Sequence, residues 1–108
     1  MITNQDPLTQ IVIGCAIEVH KQLGPGLFEE TYKKCLSYEL QFANIKHKLE
    51  VELPMNYKGL QIESAYRIDI LVENKLILEL KSVKEITDIH KAQILTYMRL
   101  SKITTGLL

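Results

Sequence analysis

Over its first third the chain places apolar residues every three to four positions, and over its middle third every second position. It therefore opens helical and turns to strand. Leu8, Ile11, Val12, Cys15, Ile17, Val19 and Leu23 make a broad stripe on a first helix. Asp6-Pro7 suits its start, because the carboxylate accepts from free backbone N–H groups and proline fits the first turn. Gly24-Pro25-Gly26 ends it, since glycine takes the left-handed cap and proline cannot continue a helix. A second helix is predicted from about Leu27 to Phe42, with Phe28, Tyr32, Cys35, Leu36 and Leu40 on one side. Two helices joined by so tight a corner pack on each other or on a shared sheet.

From Lys46 the period becomes two. Leu49, Val51 and Leu53 alternate with Lys48, Glu50 and Glu52, a half-buried strand in which Pro54 predicts a bulge or an edge. Tyr57-Lys58-Gly59 reads as a turn and Leu60–Ser64 as a short strand. Tyr66–Val72 and Leu76–Val83 follow as strands around the turn Glu73-Asn74-Lys75. A third helix is expected over roughly Thr87–Leu100, with Ile89, Ile94, Leu95 and Met98 apolar and Asp88 as its cap. Thr104–Leu108 opens a last apolar strand. The order α-α-β-β-β-β-α-β describes an α/β fold of layers, a mixed sheet flanked by helices.

Composition narrows the class. A chain of 108 residues fits one domain, residues 1–108, and 46% hydrophobic with 24% charged residues is globular. A disordered tail, a collagen-like rod and a coiled coil are excluded. The longest charge-free apolar run, near Ile11–Ile17, falls short of the ~20 residues of a membrane span. No basic segment precedes it, so neither a membrane partner nor a signal peptide is expected. Cys15 and Cys35 are too few for a disulfide framework or a zinc cage and read as small buried hydrophobes of a reducing cytoplasm. His20 and His47 have no partners at metal spacing and read as surface residues. Thirteen basic residues balance 13 acidic ones, which argues against gripping nucleic acid by bulk charge alone.

Candidate chemistry lies in the strands. In Leu76–Val83, Glu79 interrupts an apolar run and Lys81 follows on the same face. The preceding strand carries Asp69 between Ile68 and Ile70. If Glu73-Asn74-Lys75 is a three-residue loop, Asp69 faces Glu79, whereas a two-residue loop would put the carboxylates on opposite faces. Facing carboxylates repel, and a divalent cation such as Mg²⁺ would offset that repulsion. Lys81 beside it would stabilise an anionic phosphorane or orient the attacking water. Taken singly, Glu79 and Lys81 also fit a solvated strand face, and Glu73-Asn74-Lys75 repeats the same triplet in a turn. Asp69 weighs against that blander alternative, because Asp is disfavoured in strands and this chain has only three. Arg67, on the face of Asp69, fits either an ion pair or a phosphate contact. Glu29, in the first turn of the second helix, fits a helix-dipole interaction and also an orientation toward the sheet. His90, Gln93 and Tyr97 share one helix face.

The run Gly24-Pro25-Gly26-Leu27-Phe28-Glu29-Glu30-Thr31-Tyr32, followed by Leu36 and Tyr38-Glu39-Leu40, resembles the signature of the bacterial Gly-x-x-Glu-x-x-Tyr proteins, here Gly26, Glu29 and Tyr32. Later blocks are similar in the same order: Tyr57-Lys58-Gly59, Tyr66 to Val72, Ile77 to Lys81, His90 to Tyr97, and Gly106-Leu107-Leu108. That family is grouped with the PD-(D/E)xK nucleases. The resemblance implies a restriction-endonuclease-like core and a Mg²⁺- (or Mn²⁺-) dependent nuclease acting on DNA or RNA. Position by position, Asp69 and Glu79 resemble its metal ligands, Lys81 its catalytic lysine, and Glu29 the helical acidic residue that many relatives add to the metal shell. Gln93 and Tyr97 resemble the Gln-x-x-x-Tyr helix motif of the RecB-like branch. Ile68 stands where the superfamily's proline often precedes the Asp. Relatives usually continue past Gly106-Leu107-Leu108, so an edge strand is expected to be missing from this chain. The alternative is a catalytically silent nuclease-fold module that binds nucleic acid or protein. A homodimer is expected, because so small a domain needs help to span a duplex.

Overall fold

The computed structural model describes residues 6–26, 28–83 and 85–108. The elements run α1 (Pro7–Leu23), α2 (Glu29–Phe42), β1 (His47–Tyr57), β2 (Leu60–Val72), β3 (Leu76–Leu78), α3 (Asp88–Ser101) and β4 (Thr105–Leu107). The four strands form one mixed sheet in the order β1-β2-β3-β4. β1 to β3 are antiparallel neighbours, and β4 joins β3 in parallel. Among the described residues no helix is long and apolar enough to cross a membrane.

Each helix end has a local cause. Asp6 caps α1, its carboxylate accepting from the Thr9 N–H at 3.3 Å and the Thr9 hydroxyl at 3.0 Å, and Pro7 occupies the first turn. Gly24, at φ +72°, turns the chain out. α3 is capped by Thr87 rather than by Asp88. The Thr87 hydroxyl accepts from the His90 N–H, and His90 Nδ1 accepts from the Thr87 N–H at 3.1 Å, a reciprocal box that Asp88 cannot form.

Leu60–Val72 is one strand where two are expected, so three strands precede α3 rather than four. The break near Ser64 is a bulge: the β1–β2 register shifts between Leu53 and Met55, at Pro54, and the pairing continues. Lys58 and Gly59, both at positive φ, make the two-residue turn between these strands. The loop Glu73-Asn74-Lys75 has the predicted three residues, and Val72 pairs with Leu76 across it. β3, expected to reach Val83, leaves the ladder with β2 after Leu78.

The centre of the sheet, β3 and the end of β2, is buried on both faces. Ile70, Val72, Leu76 and Leu78 pack against Val12 and Val19 of α1 and Leu36 and Leu40 of α2. Ile68, Leu71 and Ile77 pack against Ile94 and Tyr97 of α3. Cys15 and Cys35 are free, half-buried members of the first cluster. The α1 stripe is wider than this core requires, since Ile11, Ile17 and Leu23 remain exposed, as do Ile89 and Leu95 of α3.

Candidate active site

The site forms where β2 and β3 part. Beyond Leu78 the chain stays with β4, the Glu79 N–H donating to the Leu107 carbonyl at 3.0 Å. It no longer bonds to the β2 backbone, and side chains bridge the fork instead. The Leu80 N–H donates to Asp69 Oδ2 at 2.9 Å, and the Asp69 N–H lies 3.4 Å from Glu79 Oε1. The three-residue loop thus brings Asp69 and Glu79 together, as the register requires.

Glu79 is only 4% exposed. Burial, followed by the charge of Asp69, raises its carboxyl from the ordinary 4.5 to about 7. Lys81 opposes that rise, with Nζ 3.4 Å from Glu79 Oε2 and a mostly buried side chain. Tyr97 of α3 is buried close by. Its hydroxyl accepts from Gln93 Nε2 at 2.7 Å and keeps its own proton to donate. Burial raises the Tyr97 phenol, the Gln93 bond lowers it, and the charges of Glu79 and Asp69 raise it again.

Glu29, exposed at the start of α2, accepts from the Ser82 N–H at 3.0 Å and so holds the segment that leaves β3. It does not close a three-carboxylate cage: among the described residues no three His, Cys, Asp or Glu side chains converge on one metal position. Arg67 pairs with Glu50 at 3.4 Å, not with Asp69, and Glu50 also receives Lys33 at 3.7 Å. His90 serves the α3 cap. His47 is not a simple surface residue, since its ring bridges Ser37 Oγ at 2.6 Å and the Ile45 carbonyl at 2.9 Å. His20 is exposed, with its ring edge-on to Tyr32.

Sequence reasoning gave no role to two features. Tyr66, 40% exposed, sets its ring 5.8 Å from that of Tyr97. A groove of about 640 Å³ runs between α1, the start of α2, residues 79–83 and Ile86, with Glu29, Glu79 and Lys81 among its lining and apolar side chains for most of its wall. An aromatic residue three positions before Asp69, and the excess width of the α1 stripe, were the available signals.

The sequence profile of the PD-(D/E)XK nuclease superfamily matches residues 6–108. The chain belongs to that superfamily. The mixed sheet flanked by helices is the architecture expected of a superfamily member. Neither curated proteins nor solved structures gave a match. The donor set fits a hard divalent cation. Two carboxylates meet at one point, one of them desolvated and held partly protonated near neutrality, and a cation there would neutralise both.

Proposed function

We propose that this chain is a divalent-metal-dependent nuclease of the Gly-x-x-Glu-x-x-Tyr type, hydrolysing phosphodiester bonds in DNA or RNA. The observation that supports it is the fork itself, in which Asp69 and Glu79 face each other beside Lys81 at the point where β2 and β3 separate. Asp69 and Glu79 would hold Mg²⁺ or Mn²⁺, an ion that is commonly held by one or two carboxylates, with Glu29 as a further acidic candidate. When bound, such an ion neutralises charge on the phosphate and acidifies a water.

The chain's own groups divide the remaining work. Lys81, 3.4 Å from Glu79, would supply positive charge to the phosphate oxygens and orient the attacking water. Tyr97, its oxygen fixed by Gln93, offers a phenolic proton as a hydrogen bond beside the carboxylates. Cleavage of single-stranded, duplex, flap and branched DNA and RNA with Mn²⁺ or Mg²⁺ tests the reading. Complete absence of cleavage across that panel would sink it. The lack of a third converging carboxylate among the described residues favours the second reading, a silent binding module. Calorimetric titration separates the two, because a silent module takes up no Mn²⁺ through Asp69 and Glu79.

A further inference from the structure

Two apolar surfaces near the fork have no use in phosphodiester chemistry alone. One is the ring of Tyr66, 40% exposed and resting against Tyr97, whose hydroxyl lies within the field of Asp69 and Glu79. The other is the 640 Å³ groove, walled by Ile13, Ala16 and Ile17 of α1 and by Val83 and Ile86. Ile17, Val83 and Ile86 are each at least 40% exposed there. The groove's volume lies in the range of pockets that enclose small organic groups, about 300–1,000 Å³, and a nucleobase fits within it.

Charge points the same way. Proteins that hold a duplex do so through many Lys and Arg contacts to phosphates. This chain is neutral overall, and among the described residues Lys81 is paired with Glu79 and Arg67 with Glu50. Single strands also need positive charge along the backbone, but they draw part of their affinity from bases stacked on aromatic side chains. A paired base cannot reach either surface unless it is first pulled from its stack.

We propose, building on the nuclease reading, that the site takes an unpaired strand: one base stacks on Tyr66, and the base across the phosphate that Lys81 contacts at the fork enters the α1 groove. Tyr66 and the groove wall then position the substrate and select its strandedness, and they take no part in the chemistry.

The test is binding, read without cleavage. Fluorescence anisotropy of a labelled single-stranded oligonucleotide and of the same sequence as a duplex is measured in EDTA and in Ca²⁺. The wild type should bind the single strand at least tenfold more tightly. Tyr66→Leu should weaken single-strand binding by roughly 5- to 140-fold, the loss of one stacked base, and leave duplex binding unchanged. Tyr66→Phe should restore it, and Ile17→Gln, a neutral change at an exposed position, should weaken the single strand as well. Melting curves confirm that each variant is folded. Equal or tighter duplex binding, or single-strand binding indifferent to Tyr66→Leu, overturns the inference, and so does failure to bind either oligonucleotide. The nuclease reading is decided separately: duplex cleavage with Mn²⁺ would keep it while the unpaired-strand inference falls.

Discussion

Glu79→Gln should make the metal-free protein more stable at alkaline pH. The reason lies in where the proton resides. Burial and the neighbouring Asp69 raise the folded-state value at Glu79 from 4.5 to about 7. Between those values the folded chain keeps a proton that the unfolded chain has released, so stability falls as pH rises through that window. A carboxyl displaced by one pH unit between the two states contributes about 1.4 kcal/mol, so the full displacement reaches about 3 kcal/mol once pH passes 8. Glutamine keeps the shape and the oxygen facing the Asp69 N–H while removing the charge. Urea unfolding in EDTA at several pH values should show the two proteins equal near pH 4 and the variant ahead by about 1–3 kcal/mol near pH 8. Mn²⁺ at about 1,000 times its Kd should reverse the order, because it adds about 4.1 kcal/mol only to the protein that binds it. If the wild type is the more stable protein at pH 8 in EDTA, Glu79 is not an uncompensated buried charge and the reasoning fails.

Lys81→Ala should cut any cleavage by roughly 10²–10⁴-fold, the usual contribution of one positioned catalytic group, while the Mn²⁺-induced rise in melting temperature persists. Loss of that rise would mean that Lys81 organises the metal site itself. Tyr97→Phe removes the acceptor of the Gln93 bond and should cost about 1 kcal/mol in urea unfolding, together with part of the activity. Gly106→Ala would bring a Cβ to 2.9 Å from Met98 Sδ and 3.0 Å from Ile94 Cδ1, and a loss of about 1 kcal/mol in the same assay is expected as those side-chain ends shift.

Much of this was legible in the sequence because it depends on neighbours along the chain. The Asp6-Pro7 cap, the bulge at Pro54 and the three-residue loop at Glu73-Asn74-Lys75 are local events with local signatures. The loop length alone aligns Asp69 with Glu79. What failed was long-range. Alternation continues through Leu80 and past it, so nothing in the pattern marks Leu78 as the last rung; β3 ends because it follows β4, a strand nearly thirty residues on. Thr87 and Asp88 are comparable caps by residue type, and only the reciprocal bond with His90 decides between them. Ser37 and His47 belong to different elements, so their 2.6 Å contact has no sequence period. The Tyr66–Tyr97 contact and the α1 groove have none either.

The position of the carboxylates is set by residues that touch nothing chemical. Between the loop and the fork, Ile70, Leu71 and Val72 pair with Leu78, Ile77 and Leu76, all but Leu71 at most 2% exposed, in the part of the sheet that is buried on both faces. A slip of one residue would turn the side chains that meet α1 and α2 toward α3, and the reverse, and would send Asp69 and Glu79 to opposite faces. Truncating one such side chain commonly costs about 2–5 kcal/mol, comparable to the roughly 3 kcal/mol that ionising the buried Glu79 beside Asp69 costs. The core can therefore hold the two acids together, and one of them buried, without a metal to reconcile them. The strain falls on a single ionisable group, Glu79, at the rung where backbone pairing stops.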